Sequence, residues 1–185
     1  IDGGEGGHEL WALVLDAAGS APAGTVPVEG RRYAAVPLGS FAAIEAFELE
    51  RSYIDRTEVT NAAYQEFAAA GGYRRPEFWK EPFVEDGRTL SFEEAMARFV
   101  DSTGRPGPAT WVLGEHPEGQ AELPVGGVSW YEAAAYAAYA AFRERSLPTV
   151  YHWAVAALPD AEIAEPLAPH IGPQSNLESD GPAAV

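Results

Sequence analysis

Apolar residues recur at helical spacing through the middle of this chain, and each such stretch opens on a residue that can cap it. After Thr60 or Asn61, the residues Ala63, Tyr64, Phe67 and Ala68 form one stripe, and Gly71-Gly72 ends it. Ser91-Phe92-Glu93-Glu94 has the form of a capping box: the Ser hydroxyl takes the third amide and Glu94 reaches back. Phe92, Ala95, Met96, Phe99 and Val100 then repeat at helical spacing as far as Gly104. Ser129-Trp130-Tyr131-Glu132 is a second capping box and predicts an Ala-rich helix to about Arg145. Its expected buried face carries Trp130, Ala133, Ala134, Ala137 and Ala141. Leu147-Pro148 halts that helix, and Thr149 caps a short fourth one with Trp153 and Ala157, limited by Pro159.

Strand signals precede the helices. Thr25 to Val36 and Ala46 to Ile54 alternate, the second with Phe47, Leu49 and Tyr53 on one face and Glu48, Glu50 and Ser52 on the other. Leu10 to Leu15 reads as a further strand, and Asp16 to Gly24 as a turn-rich connection. Arg105 to Trp111 and His116 to Gln120 are loops, because Pro removes a backbone donor and Gly costs entropy in a helix interior. The acidic stretch from Asp160 to Val185 has no apolar period. Residues 1–23 therefore read as a linker or the end of a preceding module, and residues 24–185 as one domain.

A formal net charge of −16 disfavours nucleic acid and anionic membrane surfaces as partners. No apolar run approaches the roughly 20 residues that span a bilayer. The absence of Cys excludes a disulfide framework, a thiolate metal site and a Cys nucleophile within these residues. The four His residues (8, 116, 152 and 170) lack the spacing of a helical metal pair, and His152 is expected to be structural. Ser129 reads as a cap rather than a nucleophile. Paired carboxylates such as Glu93-Glu94 and Glu48/Glu50 read as solvated faces. Trp79, Trp111, Trp130, Tyr131, Tyr151 and Trp153 sit at loop–helix junctions, where they either pin irregular backbone or line a peptide- or sugar-contacting groove.

Several blocks together resemble the sulfatase-modifying factor family, also called the formylglycine-generating enzyme family. They are Tyr53 to Asn61, Gly71-Gly72-Tyr73, Pro124 to Ala138 and Leu147 to Ala157. Asp101 to Trp111 is similar to a branch often joined to bacterial Ser/Thr kinases. The resemblance implies an α+β fold related to C-type lectins, loop-rich, with few short strands and about four helices, incomplete at its C-terminus. In oxidase members it implies copper held by two Cys after a Gly-Asn-x-x-Glu-Trp block, and this sequence has neither. In the ergothioneine-forming relatives it implies iron held by His from a separate helical bundle. It also implies a calcium site near an Asn, an apolar residue and an Asp, for which Asn176, Leu177 and Asp180 are the candidates, at shorter spacing than usual. The family's acidic residue three positions after the Thr149 cap is His152 here, so one capping partner is expected to be lost.

Two functions follow as expectations. The first is a fragment of a formylglycine-generating-enzyme-like domain that is not catalytic alone, since the family's copper-binding Cys are missing. The second is a non-catalytic lectin-like module that binds peptide, glycan or a partner protein. Exposed apolar surface would favour self-association or pairing with a further C-terminal half.

Overall fold

The computed structural model describes residues 21–37, 43–141, 145–157 and 182–183. The N-terminal strand signals form one antiparallel ribbon rather than two long strands. β1 (Thr25–Val28), β2 (Arg31–Tyr33) and β3 (Val36–Pro37) run against β6 (Ser52–Asp55), β5 (Phe47–Leu49) and β4 (Ala43–Ile44). A single register holds throughout: Thr25 faces Asp55, Val28 faces Ser52, Arg31 faces Leu49, Tyr33 faces Phe47 and Val36 faces Ile44. The ribbon is interrupted at Glu29-Gly30, where the backbone of Gly30 lies so close to Glu50 and Arg51 that a Cβ would overlap them. Across that pinch the buried face changes phase. Val28 and Tyr33, an odd number of residues apart, are both buried. Tyr53 is consequently exposed while Ser52 and Ile54 are half-buried, which corrects the alternation expected from the sequence.

Among the described residues the four α-helices are α1 (Asn61–Ala69), α2 (Phe92–Met96), α3 (Trp130–Ala140) and α4 (Val150–Ala157). Thr60 caps α1 through Ala63 N at 3.1 Å. The carbonyls of Leu123 and Ala121 take the amides of Asn61 and Ala62, both at 2.9 Å, so the orphan donors of that first turn are met by a distant loop. Gly71, in the left-handed region at φ +83°, ends the segment as expected.

Both capping boxes form, at Ser91/Glu94 and Ser129/Glu132. The helices after them are shorter than the apolar spacing predicts. α2 stops at Met96, where Arg98 N turns back to Ala95 O at 2.8 Å. Phe99 then stacks on Trp79, with ring centroids 5.2 Å apart, and Val100 bridges to Pro106. α3 ends at Ala140, and Arg145 instead meets Asp55 of β6 at 2.8 Å. A hairpin, β7 (Val84–Glu85) and β8 (Arg88–Thr89), turns on Asp86-Gly87 with both residues at positive φ. Arg98 holds Glu85 through two bonds of 3.1 and 2.9 Å, fastening this hairpin beside α2.

The core is aromatic. Tyr64 and Phe67 of α1 are buried with Tyr73, Trp79, Phe83, Leu90, Ala95, Trp111 and Ala135. Tyr64 stacks on Tyr136 at 5.3 Å, and Phe67 meets Tyr139 at 5.5 Å, so α3 offers α1 its tyrosines. Its buried residues are Glu132, Ala135 and Ala140, whereas Trp130 is 59% exposed and Ala141 is exposed. The expected Trp130–Ala141 face is thus wrong by a rotation of the helix. An alanine stripe removes little area from water, and three tyrosine rings outweigh it. Tyr33 stacks on Phe47, which in turn touches Tyr151, joining the ribbon to α4.

The architecture is the loop-rich α+β arrangement expected, with four helices and short paired strands among the described residues. Gly72 marks its tightest joint, since a Cβ there would enter the ring of Phe67. Gly72→Ala is expected to lower unfolding stability by about 1–3 kcal/mol through overpacking, measured as a reduced urea midpoint at unchanged slope.

Candidate functional site

Three buried polar side chains organise the centre: Asn61, Asp101 and Glu132. Asn61, the first residue of α1, uses its whole amide. Its Nδ2 donates to Gln120 O at 2.9 Å and Leu123 O at 3.2 Å, and its Oδ1 accepts from Trp111 Nε1 at 2.9 Å. Glu132 closes the α3 capping box by accepting from Ser129 N at 2.7 Å. Its other oxygen accepts from the Tyr73 hydroxyl at 2.7 Å, and Tyr73 also meets the Tyr64 hydroxyl at 3.2 Å. Burial pushes both tyrosine hydroxyls well above their ordinary range. Glu132 adds to the effect at each, because a second negative charge beside a carboxylate is unfavourable. Both therefore stay neutral and serve as bridging hydrogen-bond groups.

Asp101 anchors the loop that follows α2. Its Oδ1 accepts from Thr103 N (2.7 Å), Thr103 Oγ1 (2.7 Å) and Arg105 N (3.0 Å), and its Oδ2 from Gly114 N (2.6 Å). Burial acts to raise this carboxyl. The bonds from Thr103, Gly114 and Arg105 outweigh it and bring the pKa down from 3.8 to about 2. The anchored loop faces the C-terminal end of α1 across an open cleft of about 290 Å³, lined by Arg74, Arg105, Pro106 and Leu113 among others. Among the described residues no buried side-chain nitrogen or oxygen lacks a partner.

The residues singled out in the sequence separate accordingly. Ser129 Oγ accepts from Glu132 N at 3.3 Å, so it is a cap. Trp79 and Trp111 are buried pins, their indole nitrogens bound to Gly72 O and to Asn61. Trp130, Tyr151 and Trp153 are exposed instead, so these are not buried joints. His152 lies in the first turn of α4 with Nδ1 2.6 Å from Thr149 Oγ1. The imidazole thus engages the capping hydroxyl, and the position keeps a side-chain partner despite the missing acid. His116 Nδ1 lies 3.0 Å from Pro117 O, with its ring beside Trp111. Among the described residues no group of three His, Asp or Glu could hold a metal. Asn176, Leu177 and Asp180, and also His8, His170 and the Leu10–Leu15 run, lie outside the described residues.

Sequence reasoning missed Asn61 as an organiser and Asp101 as an anchor. Asp101-Ser-Thr-Gly carried a local signal, since Asp side chains commonly accept amides two residues on. Asn61 carried none, because its partners are 50 to 62 positions away.

Short strands, capped helices and a polar-tipped aromatic centre define the class of this domain. A family profile described as the sulfatase-modifying factor enzyme 1-like domain matches residues 12–162, and the chain belongs to that family. Among curated proteins it is similar to hercynine oxygenase of Mycobacterium tuberculosis (strain ATCC 25618 / H37Rv), 35% identical over 101 residues. It is likewise similar to hercynine oxygenase of Mycolicibacterium smegmatis (strain ATCC 700084 / mc(2)155), 32% identical over 100 residues. Each alignment takes in 54% of this chain but only 22% and 21% of the respective relative. Among the described residues no helix is long and apolar enough to cross a membrane.

Asp101→Asn is expected to cost about 1–3 kcal/mol at neutral pH, because an amide cannot accept from all four donors. The folded pKa is depressed, so the carboxylate's stabilisation is present above its unfolded value of 3.8 and is lost as pH falls through about 2. Urea titrations at several pH values should show the gap between variant and wild type closing over that interval.

Proposed function

We propose that these residues form the positioning scaffold of a sulfatase-modifying-factor-type domain, occupying residues 24–185 after a linker. The oxidative chemistry of the parent protein would then use metal ligands from outside the described residues. One observation carries the reading: Asn61, Asp101 and Glu132, the buried polar side chains of the described core, are each engaged in structural hydrogen bonds. None is left over for acid–base work. The sequence has no Cys, so it cannot provide the paired thiolates expected for copper in oxidase members of the family. The relatives' name denotes oxygenation of hercynine, and reaction of that class is the alternative chemistry of a longer parent.

A second reading, a recognition module for peptide, glycan or protein, is favoured by a different observation. Trp130, Tyr151 and Trp153 present aromatic surface that the described fold does not cover.

The scaffold reading is tested by turnover. The folded chain, checked by circular dichroism, should yield no aldehyde from a Cys-containing sulfatase peptide with copper, and should consume no hercynine with ferrous iron, oxygen and a thiol. Product above the metal-only control in either assay would overturn the reading.

Calcium at Asn176, Leu177 and Asp180 belongs to the same proposal. These supply three oxygen donors, fewer than the roughly six to eight that calcium takes, so further ligands must join them. Added calcium should raise the unfolding temperature by about 2–5 °C over a chelator control. Equal temperatures would remove the site.

A further inference from the structure

The basic side chains of the described fold are distributed unevenly with respect to its many carboxylates. Arg51, Arg75, Arg88, Arg98 and Arg145 each face a Glu or Asp within 4 Å. Among the described residues Arg32, Arg56, Arg74, Lys80 and Arg105 do not, and of these Arg74 and Arg105 line the cleft between the end of α1 and the Asp101 loop. Among the described residues Arg74 has no side-chain partner, and Arg105 donates only from Nη1, to Leu113 O at 2.8 Å. Among the described residues no carboxylate lines this cleft. Asp101, behind one wall, is turned into its own loop by four hydrogen bonds.

The walls are held rigidly. Gly71 and Gly114, both at φ +83°, set the backbone in the left-handed region that glycine adopts most readily, beside Arg74 and Arg105 respectively. Arg74 N is tied to Gly71 O at 2.8 Å, and Arg105 N to Asp101. Beside the two cations stand apolar groups, Pro106 and Leu113. Leu113 is 55% exposed and sits at φ +57°, a left-handed conformation that a branched residue seldom adopts. Its amide is held there by Thr103 Oγ1 at 3.1 Å.

We propose that this cleft recognises an acidic peptide segment, with a Glu or Asp carboxylate forked between Arg74 and Arg105 and a neighbouring apolar side chain on Leu113 and Pro106. The donors left free are guanidinium forks, which match the planar carboxylate. A phosphate group fits less well. The loop amides that could cradle it, Arg105 N and Gly114 N, already bind Asp101. The site stands apart from the scaffold reading, because peptide binding and turnover are measured separately.

The test is fluorescence anisotropy on the full chain. The probes are a labelled hexapeptide of alternating Leu and Glu, its Leu/Gln counterpart, and unlabelled inorganic phosphate as competitor. The Leu/Glu peptide should bind at least about tenfold more tightly than the Leu/Gln peptide, and more weakly as ionic strength rises. Arg74→Gln should weaken it by about the same factor. Because Arg74 is exposed and makes no structural bond, this variant tests the site without risk to the fold. Arg105→Gln should act likewise, with its circular dichroism compared to wild type. Equal affinity for the two peptides, indifference to Arg74→Gln, or no binding of either peptide would overturn the proposal. Displacement by phosphate at concentrations matching the peptide would overturn it too, in favour of a free oxyanion site.

Discussion

The amide of Asn61 joins three stretches of chain that no helix or strand connects: the start of α1, the loop at Trp111 and the segment from Gln120 to Leu123. A buried primary amide has two donors and an acceptor that must all be satisfied, or the fold bears the desolvation of each. Here every one is met by a partner far along the sequence. The same segment supplies the carbonyls that complete the first turn of α1. Helix, loop and indole are therefore placed by one another, and the rest of the aromatic core closes around that arrangement.

Within the described interior, the buried polar side chains are engaged in structural hydrogen bonds. Glu132 serves at once as a helix cap and as the acceptor for Tyr73, which fixes α3 against the turn after α1. Asp101 serves as the hub of its loop. The hydrogen bonds that Asp101 accepts hold it ionised, so it is poorly placed to exchange protons with a ligand. The accessible chemistry lies on the surface instead, in exposed aromatic rings and in the Arg74–Arg105 cleft. That division agrees with the scaffold and recognition readings proposed for this sulfatase-modifying factor enzyme 1-like domain.

What could be read in advance was local. Both capping boxes, the cap and end of α1 and the role of Ser129 depend on residues a few positions apart, where spacing alone sets geometry. The Asp86-Gly87 hairpin was equally legible, since that dipeptide suits two successive positive φ angles. The extents of α2 and α3 were not legible. Phe99 continues the helical period of α2, yet its ring stacks on Trp79 from outside the helix. The candidate site was barely visible, because its two arginines are 31 residues apart in number and meet only across the cleft.

By itself the sequence determined the capped helix starts, the turn positions and the membership of a family, because these follow from backbone geometry and from patterns along neighbouring residues. Tertiary structure alone decided which face of α3 is buried, where the ribbon changes phase, and which side chains surround Asn61. The alanines of α3 carry too little apolar area to choose an orientation, so Tyr131, Tyr136 and Tyr139 choose it through partners on other elements. The phase change at Gly30 depends on a backbone approaching from Glu50 and Arg51. Such contacts join positions distant in the chain, and no periodicity along it encodes them.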